Sequence, residues 1–260
     1  MFSKLKGRIK KKICEMEYIS AINVMASQTN GEAFRDIKGI NTGKEVVLCG
    51  AGPSLNQYQP KEGLMHIALN RALLCEKIKF DWFIADDWDG IDFFANELIE
   101  YDCEKFLGRG ASDISRTIPE SLYFKCNARK YYTDNYIFTN GFDSKFVCDI
   151  DRMAIGNQPN IALSAMQIVL FTNPSIIYLV GCDASANGHF VKHSKISETQ
   201  EKRQLKDMDL AVSADKTHYK WLELKRFAEV FYPDTEIVSI NPVGLKGIFR
   251  DIYQNGKDGE

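Results

Sequence analysis

The segments best equipped for chemistry are short and sit at the ends of apolar runs. Gly50-Ala51-Gly52-Pro53-Ser54 follows Val46-Val47-Leu48-Cys49. Glycine at 50 and 52 lets backbone N–H groups come close to a ligand. Pro53 suits the first turn of a helix, and a helix start favours anions. The combination suits a phosphate or a nucleotide sugar. No third glycine completes a dinucleotide fingerprint, and no Gly-Lys-Ser/Thr follows to make a Walker loop. A tight turn without a ligand is the plainer alternative.

Asn70 ends the run Met65–Leu69, where it offers a donor and an acceptor. It serves equally well as a helix N-cap. The stretch Asp81-Trp82-Phe83-Ile84-Ala85 runs into Asp86-Asp87-Trp88-Asp89. Carboxylates there could bind sugar hydroxyls, hold a divalent metal, or cap the next helix. Asp86 is the candidate contact, and no second acidic pair joins it to define a metal site. Gly156-Asn157-Gln158 precedes a helical pattern from Ile161 and makes a corner able to read an anion or a base. Asp183 closes Val180-Gly181-Cys182-Asp183, where a carboxylate is costly unless paired or useful. It leads into Asn187-Gly188-His189. The chain has 4 histidines. His218, with Tyr219 early in a helical pattern, is a candidate general base. A surface or core histidine is the structural alternative.

These residues need a scaffold. Short apolar runs at 46–49, 65–69, 82–85, 122–124, 176–180 and 236–240 read as buried strands. Helical patterns at 91–101, 160–171, 215–231 and 243–253 alternate with several of them. Such alternation predicts an α/β, Rossmann-like and mostly parallel sheet with helices on both faces. The predicted catalytic domain covers 44–253. Within it, 103–158 is less regular, and the polar segment 185–213 is expected to be a lid. Residues 254–260 are a polar tail. Residues 28–43 read as a linker.

The first thirteen residues carry six basic side chains and no acid. Phe2, Leu5, Ile9 and Ile13 recur at helical spacing. Residues 1–25 could therefore lie on an anionic membrane surface. Alternatively, the stripe packs on the body, a reading favoured by its continuation through Met16, Ile19, Ile22 and Met25.

Composition narrows the field. The chain has 260 residues, 33 Lys+Arg against 35 Asp+Glu, and a formal charge of −2, which argues against a dedicated nucleic-acid binder. Its 7 cysteines are scattered, with no C-x-x-C pair. Buried reduced thiols in a cytoplasmic protein are expected. No apolar run reaches the roughly 18 residues of a membrane span.

The order of the motifs resembles the bacterial sialyltransferases of the family that contains the Campylobacter lipooligosaccharide enzymes, glycosyltransferase family 42. It also resembles related G-x-G-P-S proteins of polysaccharide and flagellin-glycosylation loci. In that family a strand leads into G-x-G-P-S and the next strand ends in Asn. A Ser/Thr-Gly corner, a strand ending Gly-x-Asp, a lid, a His-Tyr pair and an Asn-Pro element follow. The matching stretches here are Gly50–Ser54, Asn70, Gly156–Gln158, Gly181–Asp183, 185–213, His218-Tyr219 and Asn241-Pro242.

The resemblance implies a glycosyltransferase using a CMP-activated acid sugar as donor substrate, with no cofactor and no metal needed for the chemistry. His218 would deprotonate the acceptor hydroxyl. Asn70, the 50–54 turn and Asn157 would hold the donor. The acceptor would be a bacterial surface glycan or glycolipid. The relatives imply a homo-oligomer, and the basic helix would work at the inner face of the cytoplasmic membrane. Departures bear on donor choice: Ala51 replaces the family's Asn, and 185–191 lacks the tyrosines that assist the departing phosphate. His189, Lys192 or His193 would have to substitute. Sialic acid, Kdo and other nonulosonates all remain candidate sugars. The rival readings are metal-dependent phosphoryl or pyrophosphoryl transfer through Asp86, Asp87 and Asp183, and a non-catalytic glycosylation accessory factor.

Overall fold

The computed structural model describes residues 2–109, 117–134, 144–184 and 214–254. The expected lid, with His189, Lys192 and His193, lies outside the described residues. So does most of the polar tail.

Eight strands form one sheet: β1 (Glu45–Cys49), β2 (Met65–Leu69), β3 (Trp82–Ala85), β4 (Glu104–Arg109), β5 (Arg129–Tyr132), β6 (Ile176–Val180), β7 (Glu236–Ile240) and β8 (Arg250–Ile252). Their order is β5-β4-β3-β2-β1-β6-β7-β8. Every neighbouring pair runs parallel. The described helices are α1 (Phe2–Phe34), α2 (Ala95–Glu100), α3 (Glu120–Lys125), α4 (Ile161–Phe171) and α5 (Ala214–Phe231). The arrangement is the α/β, Rossmann-like sheet expected from the alternation.

The central strands are apolar at consecutive positions because both faces of the sheet are covered. Val46, Leu48, Ile67, Leu69, Ile84 and Leu179 face a core closed by Phe34 of α1, by α4, and by Trp221 and Leu224 of α5. Val47, Cys49, Ala68, Phe83, Ala85 and Val180 face a second core. That one is closed by Leu55, Ala72, Leu98 of α2 and Leu122 of α3. From Ala162 to Phe171 every residue of α4 is buried, which explains its continuous hydrophobicity.

The chain builds outward from β1 through β2, β3 and β4 to β5, then returns through α4 and places β6 on the other side of β1. This reversal creates a switch point between β1 and β6. Ligands of open α/β sheets bind at such points, outside the carboxyl ends of the strands.

Several elements depart from the sequence reading. Residues 28–34, read as linker, continue α1. Asn30 explains why. Its Nδ2 donates to Tyr132 O (3.2 Å) and Met153 O (2.8 Å), while Tyr132 N donates to its Oδ1 (2.7 Å). Phe34 stacks on Phe106 with ring centroids 5.9 Å apart. Residues 122–124 belong to helix α3 rather than a strand, with Glu120 in its first turn and Lys125 in its last, matching the helix dipole. Residues 243–253, expected to be helical, form turns and the edge strand β8. Asn241 at φ 49° turns the chain sharply before them, and Gly247 at φ 78° turns it again. β4 and β5 emerge from the irregular middle. Each opens with charged residues, Glu104-Lys105 and Arg129-Lys130, which disguise an apolar run.

Candidate functional site

The glycine turn after β1 and the loop after β6 lie against each other across the switch point. Gly50 N donates to Val180 O (2.7 Å) and Gly52 N to Gly181 O (2.8 Å). A Cβ on Gly50 would stand 2.5 Å from Gly181 O, and one on Gly52 would meet the Asp183 carboxylate. Glycine is required here for loop-to-loop contact, and those two N–H groups serve the protein itself. Pro53 opens a short 3-10 turn, Pro53–Gln57, as its fixed φ suggested. Ala51 sits half-buried between the two glycines.

Asp183 is 6% exposed. Ser54 N donates to its Oδ2 at 2.9 Å, and Ser54 Oγ donates to its Oδ1. Burial raises the carboxyl above its usual range, against the opposing hydrogen bonds from Ser54. A third loop joins this pair, since Gly244 N donates to Asp183 O at 2.7 Å. A Cβ on Gly244 would stand 2.6 Å from that oxygen. The turns after β1, β6 and β7 therefore meet at Ser54–Asp183. Left-handed backbone clusters on this edge: Asn70 (φ 47°), Gly181 (φ 62°), Ala184 (φ 44°) and Asn241 (φ 49°). Strained conformations of this kind concentrate at ligand sites.

Asn70 follows β2 and is not a cap. The residue before its 3-10 turn is Leu69, with no side-chain capping bond. The Asn70 amide packs beside Gly90, where a Cβ would stand 2.8 Å from Nδ2. Its Oδ1 is buried without a hydrogen-bond partner. After β3, Asp87 accepts from Gly90 N (2.7 Å) and shapes the turn. Asp86 lies at the same strand end, half-buried. β3 and β6 are three strand steps apart, roughly 14 Å at normal sheet spacing. Asp86 and Asp87 are thus not grouped with Asp183. Among the described residues no group of three or more His, Cys, Asp or Glu is arranged to hold a metal ion.

The Gly156–Gln158 corner is tightly built. Gly156 N and Gln158 N donate to Gln167 Oε1 (3.1 Å) and Ser164 Oγ (3.1 Å), and Asn157 N donates to Asp134 Oδ1. A Cβ on Gly156 would overlap Lys145 O. Asn160, not Asn157, caps α4, accepting from Leu163 N at 3.0 Å. Gln158 Oε1 at this corner is buried without a partner, and Asn157 beside it is half-buried.

α5 precedes the parallel strand β7, so its first turn lies at the carboxyl edge, where His218 and Tyr219 are exposed. Lys220 on the same turn is buried, and its Nζ donates to Ser144 O (2.8 Å) and Glu223 Oε2 (3.0 Å). Gln158 Nε2 shares the Ser144 O acceptor at 3.4 Å. The histidine turn and the corner are thereby tied together. Sequence reasoning missed Lys220, Asp134 and Gln167. Lys220 left a signal: it falls on the helical stripe of Thr217, Trp221 and Leu224, where a lysine needs a buried partner.

A doubly wound parallel sheet with glycine-rich turns at its switch point defines the structural class. No family model and no curated protein matches the chain. Among solved structures, the chain is similar to the sialyltransferase CST-II in complex with a trisaccharide acceptor and CMP. The identity is 11%, the TM-score 0.47, and the match covers 84% of this chain and 89% of that one.

Proposed function

We propose that this chain is a glycosyltransferase that moves an acid sugar (sialic acid, Kdo or another nonulosonate) from a CMP-activated donor to a bacterial surface glycan. One observation carries the reading. The motifs ordered along the chain as Gly50–Ser54, Gly181–Asp183 and Asn241–Gly244 meet at the carboxyl ends of β1, β6 and β7. That is where such a fold takes a nucleotide.

Asn70, with its unpartnered Oδ1, offers an acceptor to donor hydroxyls one strand away. Asp183 and Asp86 suit ribose or sugar hydroxyls, and Asn157 and Gln158 offer amides to the donor. His218 takes the proton from the acceptor hydroxyl, whose oxygen attacks the anomeric carbon as the bond to cytidylate breaks. The role calls for an unprotonated imidazole nitrogen within reach of that hydroxyl. Tyr219 stands beside it at the acceptor side. Cytidylate is already a good leaving group, so positioning and charge stabilisation suffice and no cofactor is required.

The test is a thermal-shift series with cytidine, uridine, guanosine and adenosine nucleotides, with and without magnesium, followed by transfer assays. Selective binding to the folded state raises the melting temperature. A magnesium-independent response to cytidylate is expected, with His218→Ala binding the nucleotide normally but losing transfer. Full transfer by that variant overturns the base assignment. A magnesium-dependent ATP response indicates phosphoryl transfer, and no nucleotide response indicates an accessory binding module.

A further inference from the structure

Among the described residues, the side-chain contacts that tie α1 to the sheet lie in its C-terminal part. Asn30 bonds to Tyr132 at the end of β5, while Arg129 at the start of β5 donates to Ala33 O (3.0 Å) and bonds Asp36. The helix therefore runs antiparallel to β5. Followed backwards it passes Asn23, whose Oδ1 accepts from Ala154 N at 3.2 Å, and then leaves the carboxyl edge of the sheet. At ~1.5 Å per residue, residues 2–22 extend roughly 30 Å beyond that contact.

The docked face does not end with the body. Asn30 and Asn23 are followed backwards, at helical spacing, by Met16, Ile13 and Ile9, which are 65%, 51% and 52% exposed. The expected packing of this stripe on the body does not occur at these three positions. Lys6, Lys10 and Lys12 are exposed around the stripe, and residues 1–12 contain no acid. Among the described residues no helix is long and apolar enough to cross a membrane.

We propose that residues 2–16 form a docking surface for an anionic phospholipid bilayer, with the apolar stripe in the headgroup boundary and the lysines on lipid phosphates. Charge selects this occupant. Pairing the basic segments of two copies side by side would bring like charges together, whereas an anionic surface neutralises them. The N-terminal part of α1 projects on the same side as the carboxyl edge, so the docked helix holds the candidate site close beside that surface. Only this last consequence rests on the glycosyltransferase reading, where it fits a lipid-linked acceptor. The docking stands without it.

The full chain is sedimented with phosphatidylcholine vesicles, with and without phosphatidylglycerol. Binding is expected only to the phosphatidylglycerol vesicles, weakening as salt rises. The variant Ile9→Glu/Ile13→Glu/Met16→Glu should lose at least about tenfold in partitioning while keeping the circular-dichroism melt of the parent. Absence of binding, equal binding by the variant, or a dimer that this variant dissociates overturns the proposal. His218→Ala should bind vesicles like the parent. Vesicle binding with no transfer activity would therefore count against the enzyme reading alone, and transfer without vesicle binding against the docking alone.

Discussion

Ser54 and Asp183 show how one buried charge is kept. The carboxylate is nearly excluded from water and holds both Ser54 donors. Because its pKa is raised on folding, the stability linked to it is fully present below the unfolded value of 3.8 and is lost as pH rises through the folded value. The ionised group thus opposes folding at neutral pH. Ser54→Ala leaves one oxygen unpaired and should lower stability by about 1–3 kcal/mol at pH 7. The loss should be smaller in acid, where the proton replaces the missing donor; urea titrations at both pH values check this. Asp183→Asn should instead match or exceed the parent in stability at pH 7 and, on the proposed glycosyltransferase reading, weaken cytidylate binding. Calorimetry reads both.

His66 has the opposite sign. It is buried, its Nδ1 donates to Leu64 O (2.9 Å), and its Nε2 accepts from Tyr58 OH (3.0 Å). Burial lowers its pKa below 6.5, against the hydrogen bond to Leu64. Stability is present above 6.5 and falls as pH drops through the depressed folded value. His66→Gln should flatten that acid limb of the melting-temperature profile.

At the level of elements, the Gly156 corner and α4 make the sharpest claims. Gly156→Ala pushes a methyl group into Lys145 O, and should cost about 2 kcal/mol or more, because the backbone on both sides is pinned by Gln167. Asn160→Ala removes a helix cap and should cost ~1 kcal/mol. Equilibrium denaturation distinguishes the two.

Which elements were legible follows from where they lie in the sheet. β2, β3, β6 and β7 match their apolar runs to the residue, since strands buried on both faces read as unbroken hydrophobic stretches. β4, β5 and β8 lie toward or at the sheet's edges, begin with charged residues, and carry no such run. Tyr131 is fully buried between flanking residues that are only half-buried, a one-residue signal. The 122–124 and 243–253 readings failed because short apolar runs and helical spacing are ambiguous without their tertiary partners.

At the scale of the whole molecule, α1 divides into a structural half and a projecting half. Ile9, Ile13 and Met16 are exposed, so deleting residues 1–22 should shift the melting temperature by no more than a few degrees. Phe34→Ala opens a cavity against Phe106 and Tyr131 and should cost about 3–5 kcal/mol. A truncation that melts as low as that variant would mean the projecting half carries stability.

Taken alone, the amino-acid order determined the alternation of buried strands and helices, the turn residues after β1, β2 and β6, and the amphipathic basic start. These are local: each depends on residue type and spacing within one element. Tertiary structure decided what the glycines are for, because only the approach of the 50–54 and 181–184 loops shows that a side chain there would collide with backbone. It also decided that Asp183 belongs to Ser54 rather than to Asp86, since sheet order separates β3 from β6. It showed residues 28–34 to be core, through Asn30 and Phe34. And it left Ile9, Ile13 and Met16 facing outward, because whether a stripe is covered depends on where the body ends.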